Sequence, residues 1–363
     1  MTSRAALKVA AVATGIGLLL CVRPMLTNDW DPSFFLAIGE DATEIREYAE
    51  ERLGEVVLRS DLGHDGRFFF VQANDPWILD PEVNAQVLDR PQYRSQRMFY
   101  PLVASGLGTL GPQAVVWGML IVNLAALVLG TLAVVSIAES MQVSSWWGLS
   151  FVLNIGFVSE LNIGGAGIVA AAAAFGAVAM IVRGRVGWAI GLLIVAALSR
   201  EVNLIVAAGT AWWLWNKAEE KVSAGLVIAV PVAFVGLWAV YLRFSLGPVG
   251  GAPDIREIGL PFAGVVGAFS SWIDDPIDLI VGIALIVLMI LFSRRVFQQD
   301  HLVGWAFFGF VGVAMLLTEP VWHSYFDISR AIAPVLTAYA LLLASRDPAS
   351  STLSNAGRST PAT

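Results

Sequence analysis

The run AVVWGMLIVNLAALVLGTLAVVSIA, residues 114–138, carries no charged side chain. A helix needs about 20 apolar residues to cross the roughly 30 Å hydrocarbon core of a bilayer. The stretch therefore reads as a membrane-spanning helix, and the rest of the chain agrees with it. Of 363 residues, 57% are hydrophobic and 14% charged, the balance of a polytopic membrane protein rather than of a soluble core. Further apolar runs lie at about 144–159, 164–182, 186–199, 202–216, 223–243, 277–293, 302–318 and 329–345. With a first one at about 9–22, the expectation is an all-α protein of ten transmembrane helices.

The first run follows Arg4 and Lys8 and resembles a signal peptide. Leu20 stands before Cys21 where a lipobox needs a small residue, and no small-x-small cleavage site follows, so an uncleaved span is expected. Cys21 is the single cysteine, which excludes an intramolecular disulfide and a cysteine zinc site. Arg183/Arg185, Lys217/Lys221, Arg294/Arg295 and the tail from Arg346 fall on alternate connections, on the side of Arg4 and Lys8. The positive-inside rule then puts both termini in the cytoplasm. One transmembrane domain is expected over 1–345, with a disordered, Ser/Thr/Pro/Ala-rich cytoplasmic tail over 346–363. Trp117, Trp146, Trp147, Trp188, Trp212, Trp213, Trp272 and Trp322 lie near span ends, as in an interfacial belt.

Between the first two spans, residues 24–113 form one long extracytoplasmic loop in which acids outnumber bases about two to one. Within 42–58, Ile45, Tyr48, Ala49, Leu53 and Val56 share one helical face and Glu44, Glu47, Glu51 and Glu55 mostly the other. This amphipathic helix could rest on the membrane or cover the loop's own core. Asp31 before Pro32 suits a helix N-cap with proline at the first position. Ser199-Arg200-Glu201 joins two short spans, which calls for a protein-lined or wet cavity around the charges.

The loop also holds Gly63-His64-Asp65-Gly66-Arg67-Phe68-Phe69-Phe70 and Gln92-Tyr93-Arg94-Ser95-Gln96-Arg97-Met98-Phe99-Tyr100-Pro101. A carboxylate between two glycines, which admit unusual backbone angles and close approach, makes Asp65 the first candidate for chemistry. A plain helix-capping Asp in a tight loop is the alternative. The expected topology gathers His64, Asp65, Arg67, Arg94, Arg97, Glu160, Asn162, Arg200, Glu201, His323, Asp327 and Arg330 on one face. Singly, Arg200–Glu201 could be a structural ion pair, Arg330 an interfacial anchor and His323 an interfacial histidine. Jointly, the arginines suit phosphate, because the guanidinium fork matches phosphate oxygens and stays charged. No Walker loop, dinucleotide fingerprint, H-E-x-x-H motif or inverted repeat is present, and the chain has three histidines.

A first span, a long outer loop with an acidic residue and many later spans resemble the GT-C glycosyltransferases, especially bacterial mannosyltransferase-like membrane proteins. Their first loop reads roughly Tyr-Asp-Gly-Gln-Phe-Tyr-Tyr, then Asp-Pro, then Tyr-Arg-x-Gln-Arg-Ile-Leu-Tyr-Pro. Here the matching residues are His64 to Phe70, Asp75-Pro76, and Tyr93 to Pro101, with a later Arg200-Glu201 and Ser329-Arg330. His64 and Arg67 depart from the usual Tyr and Gln, and all three aromatics are Phe. The resemblance implies a bacterial plasma-membrane enzyme that moves a sugar, with inversion, from a polyprenyl-phosphate donor to a cell-envelope glycan, lipid or protein. Asp65 would be the base, Arg97, Arg200 or Arg330 would stabilise the leaving phosphate, and the lipid tail would lie between spans. A divalent cation is conceivable if Asp31 or Asp75 joins Asp65. No nucleic-acid partner is expected. The alternatives are a transporter or carrier of a polyprenyl-linked intermediate, or a non-catalytic accessory subunit.

Overall fold

The structure is a computed structural model and describes residues 4–247 and 258–345. The expected tail over 346–363 and the connection around Asp254, expected on the extracytoplasmic face, lie outside the described residues. The fold is helical, save for a pair of two-residue parallel strands, Ile38–Gly39 (β1) with Leu58–Arg59 (β2).

Among the described residues, four helices are long and apolar enough to cross a membrane: Arg4–Thr27 (α1), Pro112–Ser140, Lys221–Leu246 and Pro276–Gln299. A fifth crossing arises if Tyr325–Ala331 and Ala333–Ala344, bent by 66° at Ile332, act as one broken span. The expectation of ten spans is thus not met by ten long helices. Gly167–Val182, Val186–Ser199, Leu204–Asn216 and Leu302–Leu316 have 16, 14, 13 and 15 residues. At 1.5 Å per residue they reach roughly 20–24 Å, short of a hydrocarbon core of about 30 Å. The apolar run at 144–159 is not one helix. It breaks at Asn154, whose side chain caps Ile155–Asn162 by accepting from Gly156 N at 3.0 Å. The Asn154 amide also donates to Ala333 O (2.7 Å) and Thr337 Oγ1 (3.0 Å), stapling the break to the last helix. The bend at Ile332 likewise has a local cause, since Pro334 supplies no N–H and disfavours helix before it.

Pro112–Ser140 is the central post, packed on α1 and on Gly167–Val182. Phe151, Phe157, Phe175 and Phe307 form an aromatic ladder across the interior, with successive ring contacts of 4.4, 5.9 and 4.1 Å centred on Phe151 and Phe175. Trp117, Trp146, Trp147, Trp188 and Trp212 are exposed, in keeping with a belt, whereas Trp272 and Trp322 are buried. Their indole N–H groups donate to Trp322 O (2.8 Å) and Ala314 O (3.1 Å), so these two are core rather than interface.

The long first loop is folded onto one end of the helices, not detached from them. Its helix Thr43–Leu53 (α2) buries Ile45, Tyr48 and Ala49, and Tyr48 meets the Phe70 ring edge-on at 6.2 Å. The amphipathic face therefore covers the loop's own core. Asp31 caps a 3₁₀ turn, Pro32–Leu36, through Ser33 N at 2.8 Å. Phe68, Phe69 and Phe70 on Gly66–Asn74 (α3) are buried in the same core as the interior helices.

Candidate functional site

Asp65 occupies the N-cap position of α3, yet its carboxylate accepts no capping hydrogen bond. The glycines around it serve backbone packing. Gly63 has φ +76° and lies so close to Ala37 and Gly39 that a Cβ would sit 2.1 Å from Ala37 O. At Gly66 a Cβ would come within 2.2 Å of Ile163 O and 2.8 Å of Phe35 O. Chain meets chain at both positions, which corrects the expectation that the glycines make room for a ligand. The consequence is that Asp65 is set firmly between the first loop and the 160–165 segment, with its carboxylate turned away from its own helix.

It turns toward three arginines. Asp65 Oδ1 pairs with Arg94 Nη1 at 3.1 Å, and Oδ2 with Arg330 Nη2 at 3.2 Å and Arg97 Nη1 at 3.7 Å. Each arginine holds a second carboxylate. Arg94 forks onto Asp89 (2.9 and 3.0 Å) and lies over the Phe68 ring. Arg97 forks onto Glu201 (3.2 Å twice) and donates to Tyr93 OH at 2.7 Å. Arg330 contacts Glu160 Oε1 (3.1 Å) and Asp327 Oδ1 (2.9 Å), and Arg200 Nη1 shares that Glu160 oxygen at 3.1 Å. One network thus joins four arginines to five carboxylates drawn from the first loop, the 155–162 helix, the Arg200–Glu201 junction and the 325–331 helix.

Glu160 is its deepest member, 2% exposed. Its Oε2 accepts from Gly167 N at 3.0 Å, and a Cβ on Gly165 would stand 1.8 Å from that oxygen. A buried carboxylate survives only when paired and hydrogen-bonded, and Glu160 meets both conditions. Asn123 buttresses the same turn by donating to Gly165 O at 3.1 Å.

The charges set the protonation states. Burial would raise the Asp65 carboxyl, but Arg330, Arg97, Arg94 and Arg200 outweigh it and hold the group well below the usual carboxylate range. Glu160 is lowered by Arg330 and Arg200, and Glu201 by Arg97, in each case against burial. His64 is half-buried, its ring 5.3 Å from that of Phe326. Burial and then Arg330 push it below its ordinary value, against Asp327, Asp61 and Asp65, which favours the neutral imidazole.

The expected residues separate accordingly. Asp65, Arg94, Arg97, Arg200, Glu201 and Arg330 converge, and His64 flanks them. Arg67 bonds Leu62 O and lies over Phe68, at the edge of the network rather than within it. His323 is exposed, and among the described residues no ion pair or side-chain hydrogen bond joins it to the cluster. It stands after the four-residue turn Glu319–Trp322, whereas Arg330 is carried inward by the next helix. Asp89 and Tyr93 enter the network although the sequence did not single out either side chain. Five residues separate Asp89 from Arg94 across Pro91, a spacing that carries no obvious signal.

Asp31 and Asp75 do not serve as metal partners of Asp65. Asp31 caps its own turn, and Asp75 accepts from Leu79 N, Asp80 N and Asn84 Nδ2 at 2.8–3.0 Å. Among the described residues, no group of three His, Cys, Asp or Glu side chains is placed to hold a metal ion. A narrow cavity of about 10 Å³, room for roughly one water, opens beside the network. Arg200, Arg330 and Asn203 line it together with Phe157, Phe310 and Pro334.

Fold and site together define a helical, multi-pass membrane-type protein with an arginine–carboxylate cluster under a folded first loop. No family model, curated protein or solved structure matches the chain, so any narrower assignment rests on the cluster itself.

Proposed function

We propose that the protein is a GT-C-like inverting glycosyltransferase that moves a sugar from a polyprenyl-phosphate donor to a cell-envelope glycan, lipid or protein. The observation carrying this reading is the convergence of Arg94, Arg97 and Arg330 on Asp65, with Arg200 joined through Glu160, beside a small cavity lined by Arg200, Arg330 and Asn203 and by apolar side chains. Forked cations suit a phosphate, and the one-water cavity beside them must open for a donor to enter. The short helices are then membrane-embedded elements alongside the four long ones, in a ten-pass topology with cytoplasmic termini.

In the free protein the arginines neutralise Asp65, and a carboxylate held that low is a weak base. A donor phosphate entering among Arg97, Arg200 and Arg330 competes for their N–H groups. Asp65 then loses cationic partners, and its proton affinity rises. It accepts the acceptor hydroxyl proton while that oxygen bonds to the sugar C1, and the C1–O bond to phosphate breaks. The electron pair leaves with the polyprenyl phosphate, whose charge the arginines stabilise.

A second reading is a carrier of a polyprenyl-linked intermediate in which the network is a latch between loop and helices. The closure of the network favours it, since each of its arginines already faces a carboxylate. Transfer assays with purified protein in nanodiscs and a polyprenyl-phospho-sugar decide between the two. Asp65→Asn should lower turnover about 10²–10⁴-fold if Asp65 is the base. A folded Asp65→Asn protein with wild-type turnover, or no turnover by the wild type across donors, would reject the transferase.

A further inference from the structure

A second feature lies away from the network, at the end of α1. Leu19, Leu20, Arg23, Pro24 and Thr27 of α1 face Phe34 and Asn162 across a groove of about 440 Å³. Its apolar side opens outward, for Leu19 is 70% exposed, and Trp30 just beyond α1 is 58% exposed. The combination of an apolar helix end and an exposed tryptophan puts the groove at a membrane boundary.

Two arginines attend it. Arg23 is on the groove wall. Arg59 backs the inner wall, its guanidinium 4.5 Å from the Phe34 ring centroid and its Nη2 donating to Asn162 O at 2.7 Å. Among the described residues neither makes a direct ion pair, although Asp61 acts on Arg59 through space; Arg59 Nη2 also reaches Phe34 O at 3.5 Å, and its Nε is buried without a hydrogen-bond partner. Every arginine of the Asp65 network has at least one carboxylate within 4 Å; among the described residues these two have none that close. Cations beside hydrocarbon are costly unless an anion faces them. The Thr27 hydroxyl is spent on Arg23 O and Pro24 O, so it does not supply one.

We infer that this groove is a binding site for an anionic membrane phospholipid, whose phosphate meets Arg23 with Arg59 behind it and whose acyl chain lies along Leu19 and Leu20. The size fits one headgroup and the first part of a chain, and the exposed, unpaired charge of Arg23, with Arg59 behind it, selects an anionic lipid over a zwitterionic one. The site stands apart from the proposed transfer chemistry and holds whichever function the Asp65 network serves. Asn162 lies two residues from Glu160 on one helix.

The test is native mass spectrometry of the full-length protein in detergent, titrated with phosphatidylglycerol, phosphatidylcholine or inorganic phosphate. Arg23→Gln is the informative variant, since Arg23 is exposed and its loss breaks no internal ion pair. An arginine near an anionic lipid contributes about 1 kcal/mol, so Arg23→Gln should weaken phosphatidylglycerol binding about fivefold. Arg243→Gln, at the end of another long apolar helix, should leave it unchanged. Equal affinity in wild type and Arg23→Gln, or an equal loss in Arg243→Gln, would overturn the site. Binding of phosphatidylcholine as tightly as phosphatidylglycerol, or competition by inorganic phosphate at similar concentration, would overturn its assignment to an anionic lipid.

Discussion

Replacing Asp65 by Asn removes one charge from the centre of the network and tests whether that charge holds it together. Were Asp65 only a helix cap, the change would cost little, since Asn and Asp cap alike. The carboxylate makes no cap bond and instead meets three guanidiniums at 3.1, 3.2 and 3.7 Å. Breaking a fully buried ion pair costs about 3–5 kcal/mol. Two features reduce that figure here: the Asp65 side chain is 23% exposed, and each arginine keeps another carboxylate. The expected loss is about 2 kcal/mol, which for a chain of 363 residues lowers the unfolding midpoint by about 2–3 °C. The vacated position should also become an anion site. Phosphate at ten times its dissociation constant would restore about 1.4 kcal/mol to the variant and stabilise the wild type less. Thermal unfolding in detergent, with and without phosphate, reads both effects. A variant melting with the wild type would show that Asp65 does not hold the arginines. Equal phosphate stabilisation of both proteins would show that its loss frees no arginine.

Other outcomes follow from the same geometry. Asp65, Glu160 and Glu201 are depressed in the folded state, so the stability they contribute is fully present above the unfolded carboxylate range. It is lost as pH falls below about 4. His64 is lowered as well and must charge on unfolding, so a separate, shallower decline begins below about pH 6.5 and should vanish in His64→Asn; unfolding midpoints across pH 3–8 measure both limbs. Gly165→Ala places a Cβ 1.8 Å from Glu160 Oε2 and should cost more than about 2 kcal/mol by dislodging a buried carboxylate with two arginines on it, read as lost thermal stability or lost folded protein. Arg200→Lys can keep its single ion pair to Glu160 at 3.1 Å, so stability should be retained. Phosphate or donor affinity should fall about tenfold if the fork is used, and unchanged affinity would return Arg200 to a structural role.

How far these features were legible in the sequence follows from how local each one is. Apolar runs announce helices because backbone hydrogen bonding in lipid leaves few other choices, and charges among them stand out. The helical class, the amphipathic helix with Ile45 and Tyr48 inward and the cap at Asp31 rest on such local signals, whereas the grouping of Asp65 with Arg94, Arg97, Arg200 and Arg330 on one face came from the expected topology. Hydropathy does not report where a helix ends, so Asn154 and Ile332 break apparent spans through contacts or bends that a running average hides. Trp272 and Trp322 were indistinguishable from belt tryptophans until the 263–274 and 319–322 helices packed together. Asp65 presented the same ambiguity between cap and ion partner. Only tertiary structure decided it, because the arginines that claim the carboxylate come from positions 94, 97 and 330, and the balance between a cap bond and three charge-assisted contacts exists only once those segments meet.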